Sequence, residues 1–401
     1  MTTKGEESTD TSLSIAPSGR HAHYRALDGL RGLAILLVFT THIYTNVAFF
    51  RNSSIGGVLA LAASGWIGVD LFFVLSGFLI TGILITTVNG PRYFRNFYIR
   101  RVLRIFPLFY GVLLLLAVLT PVLHLEWHSG HIAYLFYCQN IAMTVNPGLV
   151  QVAPAVYLGH FWSLAVEEQY YMLWPLAIWL LRDERRIMRL CLVLIACTIL
   201  LRFALIWFLP SNVALDLILR ELPTHGDGLL LGSWLALAMR RWPLGELWQH
   251  MKWLAWPALP VFLAAGLYEH TLNFHSPAME TAGFTVLPFM FAGLLLKCFV
   301  PGSWELRFFS LPFLRFMGRY SYGIYVYHIL FWPLMVQGLH WLQAHLHSRI
   351  VAGLVYLLLW SLSTIAVAVL SYRYFESPFL RLKERFAPPQ QTRAIALGNS
   401  Q

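Results

Sequence analysis

The sequence predicts an all-α polytopic membrane protein with about ten transmembrane helices and both termini cytoplasmic. Three observations carry that prediction. The first is composition: 58% of the 401 residues are hydrophobic and only 12% charged, whereas a soluble chain carries about 25% charged residues. The second is a series of ten apolar segments, at 28–49, 66–88, 102–123, 160–181, 187–209, 226–239, 253–268, 282–299, 321–341 and 351–374. The third is the placement of positive charge. With the N-terminus inside, 25 of the 29 Lys and Arg residues fall in inner segments, and the outer loops hold only Arg51, Arg220 and Arg349. Basic residues kept on the cytoplasmic side orient the helices, so the alternation supports both an even number of spans and their direction.

Residues 1–24 are polar, rich in Ser, Thr and Glu, and contain no apolar run. They are expected to form a disordered cytoplasmic tail and not a signal peptide. Residues 25–385 form one membrane domain, and 386–401 a second disordered tail; no further domain is expected after it. The sixth and seventh apolar segments are short for spanning helices. Segment 131–145 is apolar but ends in VNPGLV, and is expected to be re-entrant or interfacial. A net charge of +10 reflects helix orientation, because no basic patch interleaved with aromatics supports binding of nucleic acid.

The first span carries two charges on one stripe. Arg31 and His42 stand eleven positions apart, about three turns plus roughly 20°, so both side chains leave the same face of one helix. They lie roughly 16 Å apart along its axis, about half a hydrocarbon core. Arg31 belongs near the inner face and His42 toward the outer half. An ionisable group inside a membrane is costly and is a candidate functional residue. Asp28, one turn from Arg31, suits a local ion pair as well as a direct role.

The second segment, GWIGVDLFFVLSGFLIT, carries Gly65, Gly68, Gly77 and Gly82, small residues that favour close helix packing. Asp70 and Ser76 on it are weaker site candidates. The inner loop before the third span holds Arg100, Arg101 and Arg104. Arg101 and Arg104 share a face, and two guanidinium forks there suit phosphate groups, although orientation alone would also place arginines in this loop.

The fourth span enters from outside with HFWSLAVEEQYYMLWP. His160, Ser163, Glu167 and Tyr171 share one of its faces. Glu167 lies about two turns below the outer surface, as His42 does, so the two are expected to meet in the bundle interior. An imidazole with a carboxylate partner suits general-base catalysis. It equally suits a proton relay, or a hydrogen-bonded pair that only holds helices together. Arg319, Tyr322 and Tyr325 lie on the inner side of the ninth span with His328 deeper in. Tyr325 and Tyr327 are expected in an interfacial aromatic belt. YRYFESPFLRLKERF, after the last span, is expected to lie along the membrane surface. The four cysteines show no metal-ligand spacing, and Cys191 and Cys197 point to different faces of one helix; they are read as apolar fillers, and no metal is expected.

Taken together, RALDGLRGLAILLVFTTH with its R-x10-H spacing, GWIGVDLFFVLSGFLIT, FYIRRVLRIFPLFY, HFWSLAVEEQYYMLWP and GRYSYGIYVYH resemble the membrane acyltransferase family 3. These are O-acyltransferases of surface polysaccharides and some antibiotics, and the resemblance covers nearly all of residues 24–385. It implies an acyl-CoA donor, usually acetyl-CoA, and a hydroxyl acceptor on a carbohydrate or glycosylated small molecule. It also implies a multi-pass protein of the bacterial cytoplasmic (inner) membrane, surrounded by lipid, for which a homo-oligomer is an open option. Arg31 and His42 match the critical residues of R-x10-H, with His42 as general base or acyl carrier. Arg101 and Arg104 match an arginine pair implicated with acyl-CoA, and Tyr322 is added to that donor site. Glu167 matches the Glu of WSLxVEE, or Glu168 does, with Glu167 preferred for its face.

Two departures stand out. Many relatives carry an esterase-like SGNH domain after the membrane part, which this sequence is not expected to have. Before the sixth span an arginine is expected two residues ahead of Asp227, and His225 stands there. The competing readings are a proton- or anion-coupled transporter built on the same His42 and Glu167 pair, and a non-catalytic scaffold. Inverted repeats would favour the transporter, and the sequence shows none.

Overall fold

The computed structural model describes residues 25–46, 63–150 and 156–386. The tails expected at 1–24 and 386–401 lie outside the described residues, apart from Phe386, which ends a helix. Every element among the described residues is a helix or helical turn. The long ones are α1 (Arg25–Asn46), α2 (Gly68–Thr87), α3 (Tyr93–Leu123), α4 (Trp162–Leu181), α5 (Glu184–Phe208), α6 (Asp227–Arg241) and α7 (Leu244–Tyr268). They are followed by α8 (Phe284–Lys297), α9 (Pro312–Arg319), α10 (Ser321–Tyr327), α11 (Trp332–His345), α12 (Arg349–Ser371) and α13 (Ser377–Phe386).

Among the described residues each expected span falls on a helix except the ninth, which is two; residues 47–49 of the first lie outside the described residues. Residues 328–331 form a turn, and α11 restarts at Trp332 with Pro333 in its first turn. Proline has no N–H to give residue 329 and disfavours helical backbone before it. The break leaves His328 at the end of α10, inside the bundle. Segment 131–145 folds as two short helices, Ile132–Leu135 and Gln139–Val145, neither long enough to cross a membrane.

Five stretches among the described residues are helical, long and apolar enough to span a bilayer: Ser64–Thr87, Tyr93–Leu123, Glu184–Phe208, Met279–Lys297 and Arg349–Lys383. The protein is therefore an all-α membrane protein. Other expected spans carry charge in mid-helix, as α1 does with Arg31 and α4 with Glu167 and Glu168, or are short, as α6 is at 15 residues.

Close crossings of helices position the site. A Cβ on Gly32 would lie 2.0 Å from the Leu314 carbonyl oxygen, and one on Gly318 would lie 1.7 Å from that of Asp28. At these points α1 touches α9 and its approach backbone to backbone, the contact that small residues permit. Of the four glycines in the second segment, Gly65, Gly68 and Gly77 make such approaches, whereas Gly82 has no neighbour within 4 Å of its added Cβ. The α1–α9 crossing brings Arg315 and Arg319 beside Arg31. Arg25, at the start of α1, and Leu380, on α13, line one cavity. α13 packs along α3, an arrangement the amphipathic sequence alone did not specify.

Candidate functional site

Two cavities share a wall. The larger, of about 650 Å³, opens between α1, α9, α10 and the turn after α12. Five guanidiniums line it, from Arg25, Arg31, Arg104, Arg315 and Arg319, against two carboxylates, Asp28 and Glu376. That leaves a surplus of three positive charges. Asp28 lies 3.5 Å from the Arg31 guanidinium, a pair one turn apart, as the sequence allowed. The surplus falls on planar guanidinium forks suited to phosphate oxygens.

The smaller cavity, of about 100 Å³, is reached past Arg31, Arg104 and Tyr322, which line both. The Tyr322 hydroxyl donates to the Ile105 carbonyl at 2.8 Å and so fixes its ring across the junction. Inside, Glu167 accepts hydrogen bonds from Ser76 and, at 2.7 Å, from the Tyr171 hydroxyl. The Arg101 guanidinium lies 4.5 Å over the Tyr171 ring, a cation–π contact that holds it at the cavity. Arg31, Arg101 and Arg104 all lie within electrostatic reach of Glu167 and Tyr171 or of one another. Glu168 also lines the pocket, buried, and its Oε1 has no hydrogen-bond partner among the described residues. Both hydrogen bonds to Glu167, the glutamate that the sequence preferred by its face, fall on its Oε1.

At the far end stand Ser163 and Tyr325, their hydroxyls 2.5 Å apart. Tyr325 donates onward to the His160 carbonyl at 2.6 Å. This corrects the expectation of an aromatic belt for Tyr325, which is buried in the bundle. Its spacing held the signal: Tyr322, Tyr325 and His328 recur every three residues and lie along one side of α10.

Above Tyr325 three imidazoles gather. His328 Nε2 lies 3.2 Å from His42 Nδ1, and the rings meet edge to face with centroids 4.7 Å apart. The His160 ring centre is 5.2 Å from that of His328. The expected pairing of His42 with Glu167 is therefore corrected. Among the described residues His42 meets His328, and Glu167 lies with the arginines. The reason is depth. His160, in the turn Gly159–Phe161 that leads into α4, reaches the histidine layer, and Glu167 lies about 10 Å further along.

The departure before the sixth span also resolves. His225 Nε2 pairs with Asp70 at 3.1 Å, its ring stacked on Phe284 with centres 4.3 Å apart. Asp227 takes its cation from the fifth helix instead, Arg202 donating at 2.5 Å and also reaching Thr285 at 3.3 Å. Both pairs are buried and lie outside the two cavities, a placement that suits holding α2, α5, α6 and α8 together. Arg315, Arg319 and Arg25 were legible only as orienting charges, since nothing in the sequence brings α9 to α1. The burial of Cys191 and exposure of Cys197 agree with their expected different faces.

A family model described as an acyltransferase domain matches residues 24–373. OatA of Listeria monocytogenes, named a peptidoglycan O-acetyltransferase, is 26% identical over 373 residues, covering 88% of this chain and 55% of its own length. YrhL of Bacillus subtilis, provisionally given the same name, is 28% identical over 401 residues, covering 89% of this chain and 55% of its own. A protein of Staphylococcus aureus strain COL, provisionally named an O-acetyltransferase, is 27% identical over 377 residues, covering 88% and 56%. The chain thus spans about half the length of the curated relatives it matches. No solved structure matches it.

Proposed function

The chain belongs to acyltransferase family 3, and on that premise we propose that it is a membrane O-acyltransferase. It moves an acyl group, acetyl by default, from cytoplasmic acyl-CoA to a hydroxyl of a carbohydrate or glycosylated acceptor. Peptidoglycan, named for its relatives, is the first acceptor to test, and the bacterial cytoplasmic membrane is the setting. The observation that carries the reading is the arginine-lined cavity meeting the buried pocket at Arg31, Arg104 and Tyr322. A donor with a diphosphate, a further phosphate and a long flexible arm matches a wide cationic chamber followed by a narrow one.

In this reading Arg31 and Arg104 hold phosphates where the chamber narrows, with Arg25, Arg315 and Arg319 on the rest. Arg101, steered by Tyr171, closes the pocket side. The pantetheine arm passes Tyr322 and carries the thioester toward the histidines. His42 takes the proton of the acceptor hydroxyl as its oxygen attacks the thioester carbon. The C–O bond forms, the C–S bond breaks, and the proton passes to the leaving sulfur to give free CoA thiol. A general base of this kind supplies about 10²- to 10⁴-fold of rate. Alternatively the imidazole itself takes the acyl group and passes it on. Glu167 balances the arginines and orders Ser76 and Tyr171, a role at the donor in place of the expected partnership with His42.

The test is transfer. Membranes containing the chain, supplied with acetyl-CoA labelled in its acyl group, are expected to label a hydroxyl of isolated peptidoglycan or another surface glycan. Absence of transfer to every acceptor, with labelled solute crossing the membrane instead, would move the assignment to the transporter.

A further inference from the structure

We infer that His328 is a positioning residue that fixes the tautomer of His42, placing the proton on Nδ1 so that Nε2 is the basic nitrogen. The inference rests on the reading of His42 as general base. Carbonyl oxygens only accept hydrogen bonds, so they reveal where ring protons lie. His328 Nδ1 lies 2.7 Å from the Tyr325 carbonyl and therefore carries a proton. In the neutral ring Nε2 then holds a lone pair, and that lone pair lies 3.2 Å from His42 Nδ1. His42 Nδ1 also lies 2.7 Å from the Val38 carbonyl. Both of these neighbours are acceptors, so the nitrogen is protonated and shares its hydrogen between them.

The same logic gives His160 the opposite tautomer. Its Nε2 lies 3.2 Å from the Val326 carbonyl, and its Nδ1 has no hydrogen-bond partner among the described residues. His328 is thus the imidazole that addresses His42, and it is held to do so. It is fully buried, its carbonyl accepts from Trp360 Nε1 at 2.6 Å, and it sits at the break after α10 that Pro333 enforces. An orienting acceptor behind a catalytic imidazole is usually a carboxylate. Here a backbone carbonyl and a neutral ring share that task, and both continue to accept when His42 gains its second proton at Nε2.

The experiment uses the full chain in nanodiscs with His328→Gln and His328→Leu. Glutamine keeps a polar acceptor at the ring's far end and leucine does not. His328→Leu is expected to lower kcat about 10- to 100-fold with the KM for acyl-CoA within about twofold, and His328→Gln to recover most of that loss. A structural filler would lower melting temperature and shift KM alike in both variants, and that result overturns the inference. The second readout needs no turnover. Nitrogen-15 spectra of histidine-labelled protein, with His42 assigned by its loss in His42→Gln, are expected to show the Nδ1–H form in the native chain and a mixture in His328→Leu. An Nε2–H form in the native chain overturns the inference. If the native chain transfers no acyl group while the spectra behave as expected, the acyltransferase reading fails and the positioning role stands.

Discussion

Glu167 accepts the hydroxyl of Tyr171 at 2.7 Å, one turn along the same helix, and the Tyr171 ring lies 4.5 Å beneath the Arg101 guanidinium. A carboxylate, a phenol and a guanidinium are thus locked into one unit inside the inner pocket. Glu167→Gln keeps an acceptor for Tyr171 and Ser76 and removes the charge that balances the arginines. The expected outcome is a rise in the KM for acyl-CoA or a fall in kcat of about tenfold, with melting temperature little changed, since one hydrogen bond is worth about 1 kcal/mol. Steady-state rates and a thermal melt in detergent check it.

Arg315 and Arg319 face the larger cavity with Arg31. Each alanine substitution is expected to raise the KM for acyl-CoA about tenfold, since a charge-assisted hydrogen bond is worth about 1.5–3 kcal/mol. The acceptor KM should hold, and the defect should narrow as salt screens the native chain as well. Titrations against donor and acceptor at two ionic strengths separate this from a general loss of fold.

Arg202 and Asp227 form a buried pair 2.5 Å apart. Arg202→Leu leaves a carboxylate in the bundle without its cation, at a cost of about 3–5 kcal/mol. Adding Asp227→Leu removes the stranded charge and is expected to restore most of the stability. Melting temperatures of the single and double variants decide it, and an unrescued double variant would mean the pair does more than brace the helices.

The helical class was legible in the sequence, and nearly every expected apolar segment falls on a helix among the described residues, because apolar length is a local property. So was the face of α4 that carries Ser163, Glu167 and Tyr171, since helical period fixes a face; His160 sits in the turn that leads into it. Partners across the bundle were not legible. Depth counted from the ends of apolar segments misjudged α4 by about two turns, enough to exchange His160 for Glu167 beside the histidine layer. The closeness of α9 to α1 follows from Gly32 and Gly318 meeting opposite backbones, which neither glycine announces alone. That is why Arg315 and Arg319 read as orienting charges, and why His328, set at a break made by Pro333, was passed over as a site residue.

The most direct test is a paired measurement on His42→Ala in nanodiscs, reading acyl transfer from labelled acetyl-CoA and binding of the same donor. The account predicts that transfer falls by about 10²-fold or more while donor affinity, set by the arginine cluster around Arg31, roughly 16 Å from His42 along α1, stays within about twofold. Transfer at the native rate in His42→Ala would contradict it.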